Sequence, residues 1–191
     1  MNSFYTQEEL KSMGFKVLGK NVLISKKSSI YNPENIIIGN NVRIDDFCIL
    51  SGKIELGNYI HIAAHSSLYG GTAGIVMKDF SGISSRVVIY SVTDDYSGEY
   101  LTNPTVPNQY RNVISGQVTL EKHVLVGANS VILPNVTLRE GSAFGSCSLV
   151  SKDSKPWTVN VGIPATYRKD RSRRLLELEN QFLKELELNN D

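Results

Sequence analysis

The chain has 191 residues, with 20 basic and 19 acidic side chains and a formal net charge of +1. That length predicts one domain plus small additions, and the balanced charge leaves no basic field for nucleic acid. With 41% apolar and 20% charged residues, the composition is that of a soluble globular protein, neither disordered nor collagenous.

The opening, MNSFYTQEELKS, has no apolar signal-peptide core. No apolar run approaches the roughly 18 residues of a membrane span. Cys48 and Cys147 are too few for a disulfide framework or a four-cysteine zinc site. The expectation is a cytoplasmic protein with reduced thiols and no membrane span.

The first element is announced by Thr6-Gln7-Glu8-Glu9, a capping box, with Gly14 suited to a helix C-terminus. This predicts a short helix over 6–13. From Leu18 onward the chain repeats with a period of six. Leu18, Ile24, Ile30, Ile38, Ile44 and Leu50 begin a series of apolar anchors that holds phase to Val150. Extra residues enter before Ile38 and Met77, and a long break separates Ile89 from Leu120. The residue two before an anchor is usually small or β-branched, such as Val22, Cys48, Ser66 and Val124.

Residues two apart on a strand share a side. Six residues therefore make one short strand and a corner, and three such units close a triangular coil with the anchors inside. One coil cannot bury its own face, so coils must stack. Counting anchors in threes predicts six coils: 18–30, 38–50, 56–68, 77–89, 120–132 and 138–150. The break predicts a protruding loop over 94–117. Leu175, Leu176, Leu178, Phe182, Leu183 and Leu186, on a charged background over 170–188, predict an amphipathic helix that packs on the column or on a neighbouring subunit. The organisation expected is a helical segment at 1–16, a repeat domain at 17–168 and a C-terminal helix at 169–191.

Over 18–168 the sequence resembles the hexapeptide-repeat acyltransferases, whose fold is all-β, a left-handed parallel β-helix. The sharpest likeness is VLVGANSVILPNVTLREGSAFGSCSLVSKDSKPWTVNVGIPATYRKD, which is similar to the closing segment of the maltose/galactoside acetyltransferase group. It includes Val150-Ser151-Lys152-Asp153 and the exit Gly162-Ile163-Pro164-Ala165. FYTQEELKSMGF and DDYSGEYLTNPTVP look like a narrower subset from O-antigen and surface-polysaccharide clusters, the dTDP-4-amino-4,6-dideoxyglucose N-acetyltransferase type. The resemblance implies acetyl-CoA as co-substrate, a nucleotide-linked amino sugar or other sugar as acceptor, a homotrimer, and a site between subunits. A column filled by its own anchors has no cavity, whereas a ligand site is concave. The groove between columns, roofed by the 94–117 loop, supplies the concavity.

Acetyl transfer needs a base for the acceptor's proton, donors for the oxyanion and a channel for CoA. Where the maltose/galactoside enzymes carry a catalytic histidine, this chain reads Ile89-Tyr90-Ser91-Val92-Thr93-Asp94-Asp95. An ordinary aspartate is a weak base toward an alcohol. An amine already carries a lone pair, so the departure favours N-acetylation. Hexad counting places His65 where that family has an asparagine facing the histidine from the adjacent subunit. His65 is thus expected to be the base and Asp94 its orienter or the amine's hydrogen-bond partner, with Asp95 in reserve and His61 facing outward to line the interface. Tyr96, Tyr100, Tyr110 and Arg111 are the loop residues suited to a base and a diphosphate. The resemblance places CoA along Gly127-Ala128 and Gly145-Ser146, with Lys152, Arg168 and Lys169 toward its phosphates. His123 reads as a surface corner residue and no metal is expected. The alternatives are a sugar O-acetyltransferase, a zinc lyase of the γ-carbonic-anhydrase type and a non-catalytic β-helix.

Overall fold

The computed structural model describes residues 3–188. Its core is a three-sided parallel β-solenoid, preceded by helix α1 (Gln7–Ser12) and followed by helix α2 (Arg174–Leu188). Strands of two or three residues dominate, because each face is crossed in half a hexad. The anchors fill the interior: Ile24, Ile44, Ile62, Leu68, Ile89, Val126 and Leu138 are all buried. Burying each stabilises by about 1.5–3 kcal/mol. Cys48 lies inside as expected, and burial pushes its thiol up to about 11.

The register confirms the phase. Ile44 pairs with Ile24 and Ile62, Ile62 with Ile83, Val126 with Ile83 and Phe144. The remaining two faces stack in the same way, with Leu68 beside Ile89 and Leu120 beside Leu138. On the face that contains Ile62, one further layer follows. Thr158–Val161 pairs with Ala143–Phe144, so the solenoid has about seven turns rather than six. The seventh escapes a hexad count because it follows Val150 after a longer gap and its inward residue is Asn160, whose amide bonds to Thr158. Thr166–Asp170 then turns back antiparallel and closes this end. Those residues are consequently unavailable to α2, which starts at Arg174 rather than at 170.

Many corners turn through a left-handed residue three before the anchor. Asn41, Tyr59, Phe80, His123 and Trp157 mark one edge; Phe47, His65, Arg86, Asn129 and Cys147 mark another. Side chains on the first edge stack across turns: Tyr59 on Phe80 at 4.8 Å, Phe80 on His123 at 5.4 Å. Gly141 occupies the same edge, where any Cβ would strike the Trp157 ring at 2.4 Å. Helix α2 covers this aromatic column, with Phe182 edge-on to Tyr59. At the other end, Thr6 caps α1 through both halves of the predicted box. Among the described residues no helix is long and apolar enough to cross a membrane.

Candidate active site

The second corner edge and the protruding loop carry most of the candidates. His65 sits there with φ of +64°, exposed, its ring stacked on Phe47 at 4.9 Å. His61, on the strand leading to this corner, faces outward as its place before an anchor requires. Its Nε2 lies 2.8 Å from Asp45 Oδ2, while Arg43 Nε donates to Oδ1 at 2.7 Å. Burial opposes the charge on Asp45, but the hydrogen bonds from Arg43 and His61 outweigh it and hold the carboxyl below its usual range. One turn beyond Ala63, the position after the anchor is Ser84. Its carbonyl accepts from Ser66 Oγ, and among the described residues its hydroxyl has no hydrogen-bond partner.

Asp94 arises on a hairpin. Val92–Asp94 pairs antiparallel with Val113–Ser115, and the chain between them includes the turn Asn108–Tyr110. Asp94 Oδ2 accepts from the Asn103 amide at 3.2 Å, and among the described residues nothing donates to Oδ1. Asp95 is committed differently. Oδ1 accepts from the Ser97 amide at 2.6 Å and Oδ2 from Asn112 Nδ2 at 2.6 Å. The Ser97 hydroxyl and amide and the Asn112 amide hold its carboxyl below the usual range. Two adjacent carboxylates thus have distinct environments: one is consumed by the loop, and the other keeps an open oxygen.

Tyr96, Tyr100 and Tyr110 are exposed on this loop. Arg111 turns inward instead, donating from Nη1 to Asn103 O at 3.0 Å and from Nη2 to Asn108 Oδ1. Within the chain, His65 and Asp94 share no hydrogen bond or ion pair among the described residues. The hairpin and the corner are separate features of one column.

Gly127 and Gly145 lie at equivalent corners, as the spacing predicts, since Val126 pairs with Phe144. Each has a packing reason to be glycine. A Cβ on Gly127 would stand 2.5 Å from Ser146 N, and one on Gly145 2.8 Å from the Val161 side chain. Ala128 is half-buried and Ser146 exposed. Lys152, Arg168 and Lys169 are exposed, and among the described residues none makes an ion pair.

His123 is not a surface residue. It is 7% exposed, with Nε2 2.7 Å from Glu179 Oε2 beneath α2, and Lys122 Nζ reaches Oε1 of the same carboxylate at 2.5 Å. The sequence places His123 correctly at a corner, but the long-range cover of α2 has no local signature. Among the described residues no group of three or more His, Cys, Asp or Glu is placed to hold a metal.

No protein-family model matches the chain. A dTDP-4-amino-4,6-dideoxy-D-glucose acyltransferase of Escherichia coli is 50% identical over 183 residues, covering 94% of this chain and 95% of its own. AntD, an N-acyltransferase from Bacillus cereus, superposes with a TM-score of 0.96 at 58% identity, covering 97% of this chain and 100% of AntD. AntD has been solved as D94A and D94N variants with dTDP and coenzyme A, as an S84A variant with dTDP-4-amino-4,6-dideoxyglucose and coenzyme A, and with 3-hydroxybutyryl-CoA. A lipopolysaccharide biosynthesis O-acetyl transferase, WbbJ, of Escherichia coli K12 is 28% identical over 74% of this chain and 72% of its own. The hexad-built column and these likenesses define a hexapeptide-repeat acyltransferase. Within that class, the chain belongs to the family of dTDP-4-amino-4,6-dideoxy-D-glucose acyltransferases. This chain has a serine at 84 and an aspartate at 94, the residue types and numbers that were substituted in the AntD variants. Nothing in the repeat singles out Ser84, because a serine after an anchor looks like any other corner residue.

Proposed function

We propose that this protein transfers the acetyl group of acetyl-CoA to the 4-amino group of a dTDP-4-amino-4,6-dideoxy sugar. The amine nitrogen attacks the thioester carbonyl carbon, forming the C–N bond and an oxyanion. The C–S bond then breaks. The proton leaves the ammonium nitrogen for Asp94 and passes on to the departing thiolate, so amide and free thiol result. Asp94 suffices as base because the free amine needs no deprotonation before attack; only the ammonium formed by attack must lose a proton.

The observation that carries this reading is the asymmetry of Asp94: one oxygen is anchored by a backbone amide and the other has no donor. AntD's substitutions at an aspartate and a serine of the same numbers support it. In this reading Asp94, rather than His65, is the base. Ser84 donates its hydroxyl to the oxyanion and His65 binds the acceptor beside it. The protein works as a homotrimer in the cytoplasm, with the hairpin of one subunit facing the Ser84–His65 corner of the next. CoA runs past Gly127, Ala128, Gly145 and Ser146, its phosphates toward Lys152, Arg168 and Lys169. His61 and Asp95 flank the acceptor pocket, and Tyr96, Tyr100 and Tyr110 cover the nucleotide. The likeness to WbbJ supports a place in O-antigen synthesis.

The test is thiol release with acetyl-CoA against a panel of dTDP-amino sugars and their hydroxyl counterparts, with 3-hydroxybutyryl-CoA as the competing donor. Release with the 4-amino sugar alone is expected. Release confined to hydroxyl acceptors overturns the reading.

A further inference from the structure

The loop that presents Asp94 is braced by a single arginine. Asn103 lies in the left-handed region, with φ of +72°. That backbone geometry directs its amide onto Asp94 Oδ2 at 3.2 Å. The residue is held on its carbonyl side as well: Asn103 O accepts from Arg111 Nη1 at 3.0 Å and from the Val106 amide at 3.3 Å. The second arm of the guanidinium ties Asn108, and the Arg111 amide donates to Asn108 O at 3.1 Å. The planar fork thus ties Asn103 and Asn108 together, which an ammonium on a flexible stem does not reproduce. Leu101 bridges to Arg111 alongside. Nε of Arg111 is buried without a partner. Burial of that atom and engagement of both arms by loop acceptors leave Arg111 facing the loop rather than presenting an open fork to a diphosphate.

We infer that Arg111 is a positioning residue, which acts through the Asn103 backbone to aim the Asp94 carboxylate, and is not the diphosphate ligand its place in the sequence indicates. This rests on the reading of Asp94 as base. A carboxylate held by one amide donor turns about that contact when the donor peptide drifts. Misplacement of about 1 Å costs on the order of a hundredfold in rate.

The test is steady-state kinetics of Arg111→Ala and Arg111→Lys, with Asp94→Asn in parallel, using acetyl-CoA and dTDP-4-amino-4,6-dideoxyglucose. For Arg111→Ala we expect kcat to fall about thirty- to a hundredfold, with KM for the nucleotide sugar changed less than threefold. Arg111→Lys, which keeps one donor for Asn103 O, should recover part of kcat. A KM raised tenfold or more with kcat retained at saturation makes Arg111 a diphosphate clamp and overturns the inference. So does an Arg111→Ala enzyme with native kcat while Asp94→Asn is inactive. An Asp94→Asn enzyme with native kcat removes the underlying reading instead. Loss of kcat in Arg111→Ala without any recovery in Arg111→Lys, accompanied by an equal loss of folded protein in both, makes Arg111 merely structural and also overturns it.

Discussion

Gly127→Ala separates two reasons for a glycine at that corner: room for CoA, or contact between turns. The added Cβ would stand 2.5 Å from Ser146 N, 2.8 Å from Gly145 C and 2.9 Å from Phe144 O. All three are backbone atoms, so no rotamer change relieves them. To reach an ordinary contact near 3.4 Å, the turns must part by about 1 Å at a ladder whose strands normally lie about 4.8 Å apart. The bond from Gly127 N to Phe144 O, now 2.8 Å, and that from Cys147 N to Ala128 O, also 2.8 Å, flank the clash. Parting by that amount stretches both beyond useful length. Two hydrogen bonds at about 1 kcal/mol each, with overpacking strain of about 1–3 kcal/mol, give a loss of about 3–5 kcal/mol. For a chain of this size that lowers Tm by about 10 °C. Gly82→Ala is the control, because its Cβ would meet only His61 O at 3.5 Å and should leave Tm unchanged or slightly raised. Thermal unfolding of both variants, with KM for acetyl-CoA measured alongside, is the assay. An unchanged Tm in Gly127→Ala with KM for acetyl-CoA raised tenfold would refute the packing argument and leave CoA as the reason for the glycine.

Asp94→Asn should lower kcat by about a hundred- to ten-thousandfold, whereas Asp95→Asn, whose native oxygens are spent on Ser97 and Asn112, should cost less than tenfold; a reversed order in the same steady-state assay contradicts the assignment. Acid stability should depend on Glu179. Burial opposes its charge, yet hydrogen bonds from Lys122 and His123 prevail and hold its carboxyl below the ordinary 4.5. Its contribution is therefore complete above that ordinary value and is lost as pH falls through the lower folded value. Melting of Glu179→Gln from neutral pH downward should show a shallower acid loss than the native protein, and parallel curves would sink the claim. One thiol should react quickly with a disulfide reagent under native conditions. Exposed Cys147 should do so, and Cys147→Ser should abolish the fast phase while buried Cys48, with its thiol pushed up to about 11, reacts only on unfolding.

The column was legible because its physics is periodic. An apolar side chain at every sixth position has one place to go, and from Ile24 to Val150 all the anchors but the half-buried Ile30 went there. The last turn was not legible, since Asn160 breaks the apolar code and closes its turn with a hydrogen bond to Thr158 instead. His123 shows a second limit. Its corner geometry follows from hexad position, but its burial depends on Glu179, 56 residues later in the chain. The candidate site divided the same way. Asp94 and His65 stand out as candidates by their places in the repeat, while Ser84 offers only a small polar residue after an anchor. Arg111 was recognised as special for its charge, yet its partners Asn103 and Asn108 are set by the loop's own turns, which have no repeat to betray them.

The most direct measurement is the identity of the bond made. The dTDP-4-amino-4,6-dideoxy sugar, labelled isotopically at its amine nitrogen, should be incubated with acetyl-CoA and the protein and followed by NMR. A secondary-amide N–H correlation should grow in step with free CoA thiol. Thiol release with the label remaining a free amine, and the acetyl group found on a sugar hydroxyl, would contradict it.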